Sequence, residues 1–201
     1  MILFSDKITG LVKASFLLSA LVALLLTAGC DHAPEIVQIS GSKFGTSYNI
    51  TIVADQPAPA DLAERIDAAL DVVDLSMSTY KSESELSLFN RLPVGEEAVA
   101  SAELWTVLQT SRHIWQQSAG AFDPSVGPLV DLWGFGPQMT NDQIPTDNEI
   151  TQALATTGYQ HLILNPANQS ISKDLALRLD LSAVAKGYAV DQIAGDRKSV
   201  V

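Results

Sequence analysis

The clearest two-residue alternation in the chain is "YNITIV", where Tyr48, Ile50 and Ile52 interleave with Asn49 and Thr51, and a looser alternation carries the pattern from Glu35 to Val53. That period predicts a half-buried strand. It is interrupted by "GSKFGTS" (Gly41–Ser47), whose two glycines predict a turn or a close backbone approach. After the breaker "ADQPAPAD" the apolar spacing lengthens to that of a helix, from about Asp61 to Ser76, with Leu62, Ile66, Ala69, Leu70, Val73 and Leu75 on one face and Asp61 placed to cap. A second helix is predicted from about Ser101 to Ala119, with Leu104, Leu108, Ile114 and Trp115 facing inward and Gly120 as its stop. Thr146 and Glu149 stand at capping-box spacing and open a third helix that ends near Gly158. "HLILN", "QSISK" and "LALRLDL" then predict three short strands, the first pair joined by a turn at "NPAN". A last helix, "SAVAKGYAVDQIA", follows a strand ending in Asp180 and is expected to be capped by Ser182. Helices and hairpin-type strands mix without a regular βαβ alternation and without an internal repeat, so the fold class predicted is α+β.

One segment obeys neither period. Ser118–Pro137, "SAGAFDPSVGPLVDLWGFGP", holds four glycines, three prolines and three large aromatics, with Asp123 and Asp131 as its only charges. Pro removes hydrogen-bond donors and Gly raises the entropy lost on ordering, so a shaped loop is expected here, not a regular helix or a central strand. A merely solvated connection would not carry Phe122, Leu129, Val130, Leu132, Trp133 and Phe135. A packed loop that walls a planar ligand accounts for them better.

With 201 residues, 47% hydrophobic and 17% charged, the chain can bury a core. Its formal charge of −11 would repel a polyanion, and no Lys/Arg cluster offsets it, which argues against nucleic acid as a partner. At the N-terminus, Lys7 and Lys13 precede the apolar run Ala14–Leu26, short for a membrane span and suited to a secretory signal. "LTAGC" follows and resembles the lipobox of bacterial lipoproteins, which makes Cys30, the single cysteine, the expected lipidation site. Asp31 resembles the signal that retains such lipoproteins in the inner membrane. Residues 1–29 are therefore read as a lipoprotein signal peptide and 30–39 as anchor and linker, with the domain of residues 40–195 at the periplasmic face of the inner membrane. The final "DRKSVV" (residues 196–201) abandons the apolar periodicity and back-translates to GAT-CGG-AAG-AGC-GTC-GTG, a common sequencing-adapter string, so this tail is expected to be artefactual.

Four polar or glycine-rich clusters stand at element ends: "SKFGTSY", "MSTYKSESELSLFN", "GAFDPSVGPLVDLWGFG" and "LDLSAVAKGYAVD". In this order and spacing they resemble the N-terminal half of the ApbE family, the FAD:protein FMN transferases, over roughly Ser40 to Ala194. The resemblance implies an ApbE-like, T-fold-like domain whose C-terminal part is missing from this chain. It also implies a reaction in which FAD is split at its pyrophosphate, FMN is joined through its phosphate to a Thr or Ser of a target flavoprotein, and AMP leaves. The acceptors implied are flavoproteins of redox-driven ion pumps.

By the same resemblance Phe44, Tyr80, Ala121, Phe122, Asp123, Asp180 and Lys186 contact FAD, and the backbone carbonyl of Ala183 offers Mg²⁺ one oxygen. Phe44 stands where the family often has methionine, which keeps the contact apolar but less flexible. Four of these residues also have a plainer explanation: Tyr80 as a helix-end tyrosine half in the core, Asp123 before Pro124 as an Asx turn, Asp180 and Lys186 as surface charges at a helix start. Mg²⁺ normally takes about six oxygens, so one carbonyl is not a site. The family's other metal ligands, an Asp and a Thr, and its His-containing segment lie beyond this half, and His32, His113 and His161 do not match it. The chain alone is thus expected to bind flavin poorly and transfer nothing. Two alternatives stay open: an FAD pyrophosphatase that releases FMN and AMP, and a non-catalytic flavin-binding lipoprotein.

Overall fold

A computed structural model describes residues 34–137 and 143–196. The signal peptide, Cys30, Asp31, His32 and all of the tail after Asp196 lie outside them. Among the described residues no helix is long and apolar enough to cross a membrane.

Strands β1 (Glu35–Lys43) and β2 (Thr46–Ala54) pair as a hairpin whose exposure alternates residue by residue, as the period-two pattern requires. The described residues divide into two units: residues 34–38 with Thr51–Ala58, which hold the base of the hairpin, and Ile39–Ile50 with the described residues from Pro59 on. Both glycines of "GSKFGTS" have the roles expected. The two-residue turn is Phe44–Gly45, with φ of 54° and 71°, the left-handed pair that matches strand twist. At Gly41 a side chain would collide with the Tyr48 ring, a Cβ there lying 2.6 Å from its hydroxyl.

In the larger unit helix α1 (Leu62–Met77) buries Ile66, Leu70 and Val73 as the helical spacing predicts. Asp61, expected to cap, does not: its side chain makes no cap hydrogen bond, and only its carbonyl accepts, from the Arg65 amide. Helix α2 (Glu85–Arg91), which the sequence pattern did not reveal, is capped by Ser84 through the Ser87 amide. Helix α3 (Ala102–Gln117) is capped by Ser101 and buries Leu104 and Leu108 completely, with Trp115 packed partly against the core. It stops through two consecutive left-handed residues, Ala119 and Gly120, whose φ values are 51° and 83°. Helix α5 (Asp147–Leu154) has the full Thr146–Glu149 capping box.

Strands β4 (Leu162–Asn165) and β5 (Ser170–Lys173) pair antiparallel with Leu164 opposite Ile171. The third member of that sheet is not "LALRLDL" but β3 (Ala98–Val99), an edge pair opposite Ile171 and Ser170, in the order β3-β5-β4. "LALRLDL" keeps the alternation, with Leu177, Leu179 and Leu181 at most 1% exposed, but finds its partners outside the sheet. The glycine-rich segment departs from expectation as well, since it folds into a short helix, α4 (Gly127–Leu132), started by a proline in its first turn. The last helix, α6 (Ser182–Asp196), begins at Ser182 itself.

Candidate functional site

The outward residues of "LALRLDL" lie beside the glycine-rich segment. Arg178 and Val126 form a parallel bridge, the Gly127 amide donates to the Arg178 carbonyl at 3.2 Å, and the Asp180 amide donates to the Pro124 carbonyl at 2.8 Å. This pairing brings the Ala121–Asp123 stretch and Asp180, distant in sequence, onto adjacent chains. It depends on Gly127, because a Cβ there would lie 2.7 Å from the Arg178 carbonyl oxygen. Arg178 also faces Asp131, Nη1 to Oδ2 at 2.5 Å, as an ion pair and not an aligned hydrogen bond. Gly136 packs on the same carboxylate so tightly that a side chain there would overlap Asp131 Oδ1.

Asp180 performs the capping expected of Ser182. Its Oδ1 accepts from the Ser182 amide at 2.8 Å, and the second oxygen has no protein partner among the described residues. Two turns of α6 then expose Ala183 and Lys186, and Lys186 carries no ion pair among the described residues. The unpaired ammonium and the helix start suit an anionic group, while the half-exposed carboxylate suits a hydrogen-bond donor on the same ligand.

Asp123 is more constrained. Oδ1 accepts from the Ser125 amide at 2.8 Å and its hydroxyl at 2.6 Å, and Oδ2 accepts from the Tyr159 amide at 3.1 Å. Buried Ser125 in turn accepts from the Gly158 amide at 2.6 Å. The carboxylate is thus an Asx-turn anchor that welds the loop to the turn before β4. The Ala121 and Phe122 amides already donate to Ser118, so what is left for a ligand is the carbonyls of residues 121–123 and the Asp123 amide. Tyr159 closes this anchor from inside: its phenol donates to the Leu108 carbonyl at 2.6 Å, and burial pushes its pKa up, so it stays a neutral donor.

Tyr80 is 68% exposed, which removes it from the core, and its hydroxyl donates to the Phe135 carbonyl of the glycine-rich segment at 3.2 Å. The turn that presents it is held by Ser78, whose hydroxyl accepts from the Tyr80 and Lys81 amides and whose carbonyl accepts from Ser84 and Ser87. Phe135 and Trp133 are themselves 76% and 46% exposed, whereas Phe122 is half-buried.

Phe44, held left-handed and packed partly against the core, lines an open depression of about 520 Å³ with Lys43, Asp71, Asp74 and Lys81, the neighbour of Tyr80. Every charge in it is paired: Lys43 with Asp67 and Asp71, both at 2.9 Å, and Lys81 with Asp74 at 2.7 Å. The two carboxylates hold the Lys43 pKa above its ordinary value.

No cluster of three His, Cys, Asp or Glu side chains able to hold a metal exists among the described residues. The Ala183 carbonyl would be a lone ligand, so these residues do not by themselves fit a Mg²⁺ site. His161 is engaged elsewhere, its Nδ1 2.7 Å from Asp174. The residues that sequence reasoning missed are those that hold backbone in place: Asn90, Lys173, Ser78 and the Arg178–Asp131 pair. Only the density of serine in "MSTYKSESELS" gave any signal, as side chains that bond nearby backbone.

Against known proteins, the model of the ApbE family matches residues 44–198. A relative from Vibrio cholerae named FAD:protein FMN transferase is 43% identical over 181 residues, covering 88% of this chain and 53% of its own length. One of the same name from Escherichia coli is 39% identical, covering 87% and 53%. Among solved structures, the flavin transferase ApbE from Vibrio cholerae superposes with a TM-score of 0.79 at 40% identity, over 83% of this chain and 54% of that one. The apo flavinyl transferase ApbE of Pseudomonas stutzeri gives 0.77 at 33% identity, over 83% and 53%. The chain spans about half the length of the curated relatives it matches. With its paired Asp123 and Asp180 segments and a family match over most of its length, this chain belongs to the ApbE family.

Proposed function

We propose that the protein to which this chain belongs is a Mg²⁺-dependent FAD:protein FMN transferase, and that the described residues form one wall of its FAD cleft. The observation that carries this is the parallel pairing of Pro124–Gly127 with Arg178–Asp180, which sets two of the matched clusters side by side. FAD is the substrate. The backbone of Ala121–Asp123 runs along it, Asp180 offers its second carboxylate oxygen as an acceptor, Lys186 places positive charge near phosphate, and Tyr80 and Phe44 supply apolar surface. Mg²⁺ would supply positive charge for the pyrophosphate, and its ligands would have to come chiefly from elsewhere than the Ala183 carbonyl. Acceptors are flavoproteins of redox-driven ion pumps, and Cys30 tethers the enzyme to the periplasmic face of the inner membrane.

The test is to mix the full-length gene product with FAD, Mg²⁺ and a candidate acceptor domain. A fluorescent acceptor band on a denaturing gel is the result expected. Free FMN without a labelled band means hydrolysis instead, FAD uptake without either product means binding only, and no uptake of FAD overturns the reading altogether. Replacing Asp180 by Ala is expected to weaken FAD binding measured by calorimetry.

A further inference from the structure

"LALRLDL" has the sequence of a strand, is almost fully inward on one side, and lies beside no regular sheet partner. Something else must satisfy its backbone. Asn90, the penultimate residue of α2, does so at the centre: its Nδ2 donates to the Leu179 carbonyl at 2.9 Å, and its Oδ1 accepts from the Leu179 amide at 2.8 Å. One side-chain amide thereby makes both bonds that a neighbouring strand residue would make. Because one bond needs a donor and the other an acceptor, the orientation of the amide is fixed.

Lys173 completes the clamp from the end of β5. It is 3% exposed, and its Nζ donates to the carbonyls of Phe89 (3.3 Å), Asn90 (3.0 Å) and Leu177 (3.3 Å). It lies 5.2 Å from the centre of the Phe89 ring. Its pKa is lowered by burial and then by Arg178. The carbonyls of Asn90 and Leu177, and that of Phe89, which also accepts from the Leu92 amide at 3.0 Å, are therefore tied through one ammonium.

Asp180 follows Leu179 directly, and its own amide is the one bonded to Pro124. We propose that Asn90 is a positioning residue for FAD binding: by acting as a surrogate strand for Leu179, with Lys173 fixing Leu177, it sets the height of Asp180 and of the α6 start against the Ala121–Asp123 backbone. This rests on the reading of the site as an FAD cleft. Losing the clamp leaves the acceptor oxygen of Asp180 in place chemically but no longer held at one distance from the loop.

The experiment uses the full-length protein and measures FAD binding by calorimetry and steady-state rates against FAD concentration. Asn90→Ala is expected to weaken FAD binding about tenfold, raising KM for FAD while kcat at saturating FAD stays within about twofold. Asn90→Asp, which keeps an acceptor for the Leu179 amide and loses the donor, is expected to fall between it and the wild type. A variant with an unchanged dissociation constant and a lowered melting temperature would reduce Asn90 to a purely structural residue and overturn the inference. Should both variants fail to fold, hydrogen exchange on the wild type decides: the Leu179 and Asp180 amides are expected to gain protection when FAD is added, and no gain overturns it. A wild type that binds no FAD sinks the cleft reading first, and with it the clamp, whereas a wild type that binds beside indifferent variants sinks the clamp alone.

Discussion

Two regions of the larger unit are built on opposite principles. Around α3 and the β3-β5-β4 sheet, Leu104, Leu108, Leu162 and Ile171 are at most 1% exposed and cohere by packing. Around Tyr80, the glycine-rich segment and Asp180, large side chains are exposed and the chain is held by single polar groups, each tying one backbone stretch to another. Packing spreads its cost over many contacts and tolerates small shifts. A hydrogen-bonded weld does neither, since it fixes a position to within a few tenths of an ångström and vanishes with one atom. The second construction is what a ligand cleft needs, with backbone exposed yet placed.

The contrast can be broken from either side. Leu104→Ala should give the largest loss, about 3 kcal/mol of unfolding free energy, as a cavity opens in a fully buried position. Urea denaturation checks it, and FAD affinity of the folded fraction is expected not to move. Gly127→Ala should cost about 2 kcal/mol, because the added methyl meets backbone and not a movable side chain. Here thermal melting and FAD titration should fall together; a stability loss with intact affinity would contradict the idea that this pairing sets the cleft.

Asp123→Asn is a finer probe. It turns one accepting oxygen into a donor facing an amide and should cost about 1 kcal/mol, with the Gly158 and Tyr159 amides exchanging faster by NMR. The smallest effect belongs to Glu149, whose pKa is lowered by the Thr146 amide first and its hydroxyl second. A carboxylate with a folded-state pKa below its ordinary 4.5 contributes stability that is present above that value and lost as pH falls through the folded one. Acidification below about pH 4.5 should therefore loosen α5 and leave α3 intact, and residue-level exchange across that range would show it.

How much of this was legible follows the same divide. Helices α1, α3 and α5 and the β4–β5 hairpin were readable because their signals are local: helical spacing, a capping box, an Asn-Pro turn. "LALRLDL" shows the limit. Its alternation announces an extended chain with one buried side but says nothing of what pairs with it, and the partners proved to be the side chain of Asn90 and a loop. The glycine-rich segment was recognisable as special, yet Pro128 in the first turn let a short helix form where proline density argued for loop alone. Asp61 and Ser182 show that a capping residue type is a permission and not a bond. For the candidate site, the residue set was readable only through family resemblance. That the carboxylate of Asp123 is consumed within the fold could not be, because Tyr159 comes near it only once the chain has closed.

Lys173 carries one more consequence. With its ammonium enclosed by carbonyl oxygens, an acylating reagent added to the native protein should modify exposed Lys186 promptly and Lys173 only in molecules whose α2 terminus has momentarily come away from Leu177. The ratio of the two labelled peptides is then a built-in clock for the parting of α2 from Leu177, readable by mass spectrometry without any mutation.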